Sequence, residues 1–385
     1  MANTLTNLTP DLYQAMDTVS RELVGFIPSV TLDSGIERAA VGQTVRSFVT
    51  PSVTASDITP GVTAPNDGDQ VIGNQNMTIT KARGVPVRWN GEEQRGTNSG
   101  PGYNSILQDQ FAQAMRTLTN EMESDLATLH ATTSRAYGTA GTTPFSSDLS
   151  DTAEVRKILA DNGAPLTDMN LVIDTTAGAK MRTLTQLTKA NEAADNTLLR
   201  QGVLLDVHGM AIRESAQVVT TGTNVITGTV TVTGTNAVGA TSIGITTAGG
   251  AAVAALAGDI ITFAGDSNKY VIASAVTVGA STTGVIVLAA PGLRIAKVAT
   301  TAISGVTAAA RSMAFSKSSI VLATRAPARP TEGDMADDVM MITDPRSGIS
   351  FEVALYKQYR QIRYEISAAW GFKNFKPEHS AILLG

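Results

Sequence analysis

Apolar side chains at Leu107, Phe111, Ala114, Met115, Leu118, Met122, Leu126 and Leu129 recur at i, i+3, i+4 and i+7, which commits this stretch to one long amphipathic helix. Ser105 and Gln108 form a capping-box pair at its expected start. From 105 to 130 such a helix runs about 39 Å at 1.5 Å per residue. That is long for a globular helix and suits a strut across a subunit. The rest of the chain has to be arranged along this strut.

Upstream, Thr9, Pro10 and Asp11 read as N-cap, N1 and N2 of a first short helix. Leu12, Met16, Val19 and Leu23 give it one apolar face, and Gly25 and Pro28 end it. Asp11, Asp17 and Glu22 outnumber Arg21, which argues against a membrane-surface helix. Between 41 and 94 the pattern changes. Pro51, Pro60, Gly61, Pro65, Gly68 and Gly73 punctuate it, and alternation follows at Met77 and Ile79 and again at Val85, Val87 and Trp89. Few large apolar residues fall between 52 and 75, so this segment cannot build a core of its own. It reads as an extended β-hairpin arm that needs another surface; the bland alternative is a long loop, which compact domains seldom keep without a function. Residues 96–102, rich in glycine, form a linker.

Downstream, a helix starts at Asp151 with Glu154 as its box partner and stops at Gly163. Residues 171–173 are a buried strand, 175–187 a further helix, and 203–213 a strand–turn–strand around His208 and Gly209. Residues 103–217 are therefore a mixed α/β block. Residues 218–308 are a different material. Asp259, Asp266, Lys269, Arg294 and Lys297 are the only charges there, against 16% for the whole chain. Short strands are expected at 229–233, 242–246, 259–263, 269–273 and 285–288, the spacing of a small all-β barrel or sandwich inserted into the α/β sequence. Beyond it come a strand at 319–324 and a turn-rich loop around Pro327, Pro330 and Gly333, with Asp334, Asp337 and Asp338. Long strands at 351–359 and 361–370 follow, and a final apolar strand at 381–384 can close a sheet begun far upstream. The fold class is α+β.

Chemistry is hard to find in this sequence. The absence of cysteine excludes disulfides, thiolate nucleophiles and cysteine-held metals. His130, His208 and His379 show no zinc spacing; Asp206 and His208 are the nearest to a ligand pair, beside a glycine turn. Gly265-Asp-Ser-Asn-Lys269 lacks the second glycine and the hydroxyl of a phosphate loop, and no nucleophile elbow occurs. Glu92 and Glu93, on an expected strand, point to opposite faces and suit solvated or salt-bridging roles. No catalytic residue, cofactor or metal is expected. A net charge of −5 leaves little to hold nucleic acid tightly. No secretory signal is visible, and the longest apolar run, near 251–257, falls far short of a membrane span.

An N-terminal helix, an extended arm, a spine helix, an α/β block and a late return to the sheet resemble the Johnson fold of tailed-bacteriophage major capsid proteins. The local likeness is to podovirus coat proteins of the Salmonella-phage type. It rests on Met77-Thr-Ile-Thr-Lys-Ala-Arg-Gly-Val-Pro-Val-Arg-Trp89, Val207-His-Gly-Met-Ala-Ile-Arg-Glu-Ser215, Gly258-Asp-Ile-Ile-Thr-Phe-Ala-Gly265, Ala314-Phe-Ser-Lys-Ser-Ser-Ile-Val-Leu-Ala-Thr-Arg325 and Asp344-Pro-Arg-Ser-Gly-Ile-Ser350, which occur in order over nearly the whole chain. The resemblance implies five parts: an N-terminal arm and helix (1–40), an extended β-hairpin arm with its linker (41–102), the spine helix with the first part of the peripheral and axial domains (103–217), an inserted telokin-like β-barrel (218–308), and a return to those domains (309–385). It implies hexamers and pentamers in an icosahedral procapsid, built with scaffolding protein and a portal in the bacterial cytoplasm and expanding as DNA enters. Packaged DNA would be touched only weakly, and no membrane is involved. Trp89, Glu92, Glu93 and Arg95, at the end of the arm, are the expected assembly contacts. Two other readings are an encapsulin-type nanocompartment and a β-rich surface or adhesion protein.

Overall fold

In the computed structural model the amphipathic stretch is an α-helix, Tyr103–Ala127, continued by a 3-10 turn, Thr128–Thr132. The structure describes residues 24–34, 38–49, 55, 57–63, 72–97, 102–188, 204, 206–222, 226–343 and 349–385. The short helix expected over 9–23 lies outside them, as does much of 52–75.

The buried face of the spine helix is the one its periodicity specifies. Ala114, Leu118, Met122, Leu126 and Leu129 are buried, with Leu107, Phe111 and Met115 packed at the margin. They cover a six-stranded sheet whose longest strand is Gln361–Asn374. One edge of that strand pairs antiparallel with Lys81–Asn90, in register from Lys81–Trp370 to Asn90–Gln361. Its other edge pairs with Ser350–Gln358 over its first half and with Ile320–Arg325 over its second. Ala336–Thr343 and Thr31–Ser34 complete the sheet at its two ends.

The capping box expected at Ser105 is not where the helix begins. It starts two residues earlier, after Gly102 and without a side-chain cap. A tertiary contact accounts for this: the Tyr103 ring packs edge-on against Trp89, with centroids 5.2 Å apart. Packing of this kind outweighs a cap worth about 1 kcal/mol.

A second sheet has a mixed core of five strands in the order Arg135–Tyr137, Ser380–Leu384, Ala309–Ser316, Met169–Ile173 and Met210–Glu214. The final apolar strand sits inside this sheet, parallel to Arg135–Tyr137 and antiparallel to Ala309–Ser316. Helices Ser150–Asp161 and Thr175–Met181 share its apolar cluster. Asp151 does not box with Glu154; its carboxylate accepts the Phe145 N–H at 2.7 Å. The helix expected over 175–187 breaks after Met181 and resumes at Thr185–Thr188. Met181, Leu184 and Leu187 are all buried in one cluster, and their spacing of three favours tight turns over a continuous α-helix. His208 and Gly209, both at positive φ, form a two-residue turn closed by reciprocal Val207–Met210 hydrogen bonds.

Residues 226–305 carry their own apolar cluster, including Val230, Ile243, Ile245, Val253, Phe263 and Ile286. Its strands run in the order Thr283–Val287, Ser242–Ala255, Ile226–Val232, Ala302–Gly305, Ile260–Phe263 and Lys269–Val271. An Ile272–Leu288 bridge and an Ala273 N–H to Val287 carbonyl bond of 2.8 Å link the last of these to the first. Lys269 and Tyr270 pair with Ala136 and Arg135, so this unit is hydrogen-bonded into the second sheet.

Candidate assembly surface

The arm begins as an antiparallel pair, Thr44–Val49 with Gly73–Thr78. Alternation brings Met77 and Ile79 into a buried cluster with Ala323 and Ala369, so the root of the arm is fixed to the first sheet. Gly371 makes this close approach possible, because a Cβ there would collide with the Thr78 carbonyl. The next strand, Lys81–Asn90, is tied to the spine helix by charge. Lys81 Nζ lies 3.0 Å from Glu121 and 2.8 Å from Asp125, and Arg83 lies 3.3 Å from Glu121. Partial burial lowers the Lys81 pKa, but hydrogen bonds and attraction from Asp125 and Glu121 outweigh it and hold the ammonium above its ordinary value. Trp370 Nε1 donates to the same Asp125 at 2.8 Å.

The strand ends where the four expected contact residues lie. Trp89 is 4% exposed; its ring is part of the main core and its Nε1 donates to Gln110 at 2.8 Å. Burial pushes the hydroxyl of its neighbour Tyr103 up to about 12. Glu92 and Glu93 are not on a strand, contrary to the alternation argument. They open a short helix, Gly91–Thr97. The cause is a reciprocal cap: the Asn90 N–H donates to Glu93 Oε2 at 3.0 Å and the Glu93 N–H to Asn90 Oδ1 at 2.7 Å. Glu93 is thereby buried, whereas Glu92 and Arg95 are exposed. Beside them opens a cleft of about 740 Å³ between this helix and the hairpin tip, where Tyr359 stands 90% exposed and Arg360 takes a positive φ.

Other exposed apolar side chains mark surface that the described residues leave uncovered. Ile58, Val62 and Ile72 lie on the described part of the arm, Met340 and Met341 lie on the terminal strand of the first sheet, and Met335 lies just before it. A sheet edge with apolar side chains is a template for pairing with another chain.

His208 Nδ1 shares a 2.6 Å hydrogen bond with the Thr152 hydroxyl and sits in a turn, so alternation on a strand does not pair it with Asp206. His130 and His379 are buried, and burial lowers the pKa of both. Among the described residues no group of three or more His, Asp or Glu side chains is placed to hold a metal, and no helix is long and apolar enough to cross a membrane.

Glu123 escaped the sequence reading. Its buried carboxylate accepts backbone N–H groups from Gly25, Phe26 and Ile27 at 2.6, 2.7 and 3.0 Å, clasping the N-terminal segment to the spine helix. The available signal was an acidic residue on the apolar stripe, between Thr119 and Leu126.

No protein-family model matches the chain, and no curated protein matches it. Solved structures that align with it end to end include the following two. "Mycobacterium phage Che8" is 13% identical, with a TM-score of 0.52 over 99% of this chain and 98% of that one. "Capsid structure of the Cyanophage P-SCSP1u" is 12% identical, with a TM-score of 0.51 over 99% of this chain and 92% of that one. The chain shares their fold.

Proposed function

We propose that this protein is the shell-forming major capsid subunit of a tailed bacteriophage. The observation that carries the reading is the match over 99% of the chain to a structure described as a phage capsid. Its physical rationale is the surface left uncovered in the single subunit. An arm whose apolar residues Ile58 and Val62 stand almost fully exposed recovers its ordering free energy on a neighbour. Many modest contacts repeated over a closed symmetric shell then give high stability without disulfides.

On this reading the parts are an N-terminal arm (1–40), an extended hairpin arm (41–102), a spine and α/β block (103–217), an inserted β-barrel (218–308) and a return to the block (309–385). The separate apolar cluster and the linked ring of strands support the insertion. Hexamers and pentamers would close around scaffolding protein in the host cytoplasm, with a portal at one vertex, and expand as the genome enters to give the virion head. Glu92 and Arg95, with the buried pair Trp89 and Glu93 holding them in place, are the proposed contacts at the foot of the arm. The protein acts as a structural component and not as an enzyme.

Expression with and without the scaffolding protein encoded beside it, followed by negative-stain microscopy, tests the proposal. Closed shells of uniform diameter are expected, and deletion of 52–75 should leave folded subunits that form none. A protein that stays monomeric at high concentration with scaffolding present, or that makes normal shells without the arm, overturns it.

A further inference from the structure

Three parts of the chain meet at Arg311. It lies on the strand Ala309–Ser316, and its backbone N–H donates to the Val219 carbonyl at 2.9 Å. Its side chain is 1% exposed, yet Nε, Nη1 and Nη2 all lack a hydrogen-bond partner. From the spine comes His130, buried, with Nδ1 3.0 Å from the Ala127 carbonyl. From the 226–305 unit comes Asp259, whose negative charge acts on Arg311; its Oδ2 already accepts the Leu256 N–H at 2.7 Å, and no ion pair joins it to Arg311. Gly258, beside it, packs so closely on Ala131 that a Cβ would lie 2.8 Å from the Ala131 Cα. Gly222 clears the space over the guanidinium, where any side chain would collide with Nη2.

A guanidinium carries five N–H donors and stays charged at any accessible pH. Burying it with every nitrogen unpartnered is among the costliest arrangements a core can hold, and the cost is removed by an acceptor of opposite charge. His130 adds no negative charge, and Asp259 is turned to another donor. We propose that Arg311 is the anchor of a small-anion site, taking chloride or an inorganic oxyanion, at the junction of the spine helix, the second sheet and the 226–305 unit. The anion accepts from the guanidinium and offsets its charge. Because the site lies where the three parts meet, its occupancy stiffens their joint. The inference does not depend on the capsid reading.

The test uses dispersed full-length subunits, unfolded thermally in sodium gluconate at fixed ionic strength while chloride or inorganic phosphate replaces the gluconate. The unfolding midpoint should rise and saturate. A rise with chloride alone identifies a monatomic site, and a rise with both identifies one that admits oxyanions. Arg311→Met, close in shape and uncharged, should lose the response. Asp259→Asn keeps the acceptor for Leu256 but removes the competing negative charge, so half-saturation should move to about a tenth of the wild-type concentration. A wild-type midpoint flat in both anions overturns the proposal, as does an unchanged response in Arg311→Met. If Arg311→Met does not fold, Asp259→Asn decides, and a half-saturation identical to wild type refutes the site.

Discussion

Replacing Glu123 with alanine should release the N-terminal segment from the spine helix. The carboxylate is fully buried and receives three backbone N–H bonds, from Gly25, Phe26 and Ile27. Burial raises its pKa, while hydrogen bonds from Phe26, Ser215, Ile27 and Gly25 pull it back. Without the acceptor, three N–H groups are stranded in the core. A stranded buried donor costs about 1–3 kcal/mol, and the relief of no longer burying a carboxylate offsets part of the sum, leaving a loss of about 3 kcal/mol. Glu123→Gln should lose about 2 kcal/mol, because one amide oxygen remains but the amide N–H₂ faces a donor. Both tryptophans of the chain, Trp89 and Trp370, lie in the apolar cluster under this helix, so their fluorescence reports the right transition. With about 2–4 °C per kcal/mol in a domain of this size, the alanine variant should melt at least 6 °C below wild type. Hydrogen exchange at Gly25, Phe26 and Ile27 should accelerate beyond the global change. A midpoint within about 1 °C of wild type, with these amides still protected, would refute the clasp.

Four further outcomes follow from the same structure. Burial holds His130 and His379 below the ordinary histidine value, so the unfolded chain binds their protons first; stability should be full above about pH 6.5 and fall as acid titrates the unfolded state, and His130→Gln should flatten that slope in denaturant melts taken across pH. Gly371→Ala should loosen the root of the arm, read as faster exchange at the Thr80 amide, which donates to the Trp370 carbonyl at 3.0 Å; an unchanged rate would mean that the strands part without cost. Leu118→Asp places a charge at a position 1% exposed and should yield insoluble protein, so a soluble variant would move that face out of the core. Residues 218–308 expressed alone should give a cooperative β-type melt by circular dichroism, and a coil spectrum would mean that the apolar cluster needs Arg135 and Ala136 to fold.

What the sequence discloses here is what local periodicity encodes. The spine face from Leu107 to Leu129 is buried as its spacing requires, and the alternation of Met77 and Ile79, then Val85, Val87 and Trp89, brings these side chains to the core or its margin. The strands expected at 259–263 and 285–288 form nearly in place, as Ile260–Phe263 and Thr283–Val287. Errors arise where a contact distant in sequence competes with a local rule. Tyr103 starts the spine helix early because Trp89 is beside it. Arg182, just past the broken helix, meets Glu214 through two hydrogen bonds of 2.5 Å, a partner that local sequence does not reveal. The Glu92–Glu93 misreading is of another kind, since Asn90 and Glu93 already had the spacing of a cap and the alternation before them masked it. The exposed cleft beside Tyr359 was not legible, because it depends on a hairpin tip meeting a helix more than 250 residues upstream.

Both sheets close only with the end of the chain. Lys81 waits for Trp370, Thr31 for Val321, and Arg135 for Ala381, so the first sheet is incomplete until Gln361–Asn374 is made and the second until Ser380–Leu384 is made. Such long-range pairings bear their loop-closure entropy before any contact compensates it, and they fold slowly. During that interval the Lys81–Asn90 strand and the apolar face of the spine helix lack their covering strand Gln361–Asn374. Glu121 and Asp125 bear on this stage, since their charges can hold Lys81 against the spine helix before Trp370 arrives and pre-align the strand it will pair with. The spine helix can therefore serve as a template: its apolar face receives the sheet, and its acidic margin holds Lys81 of the first strand.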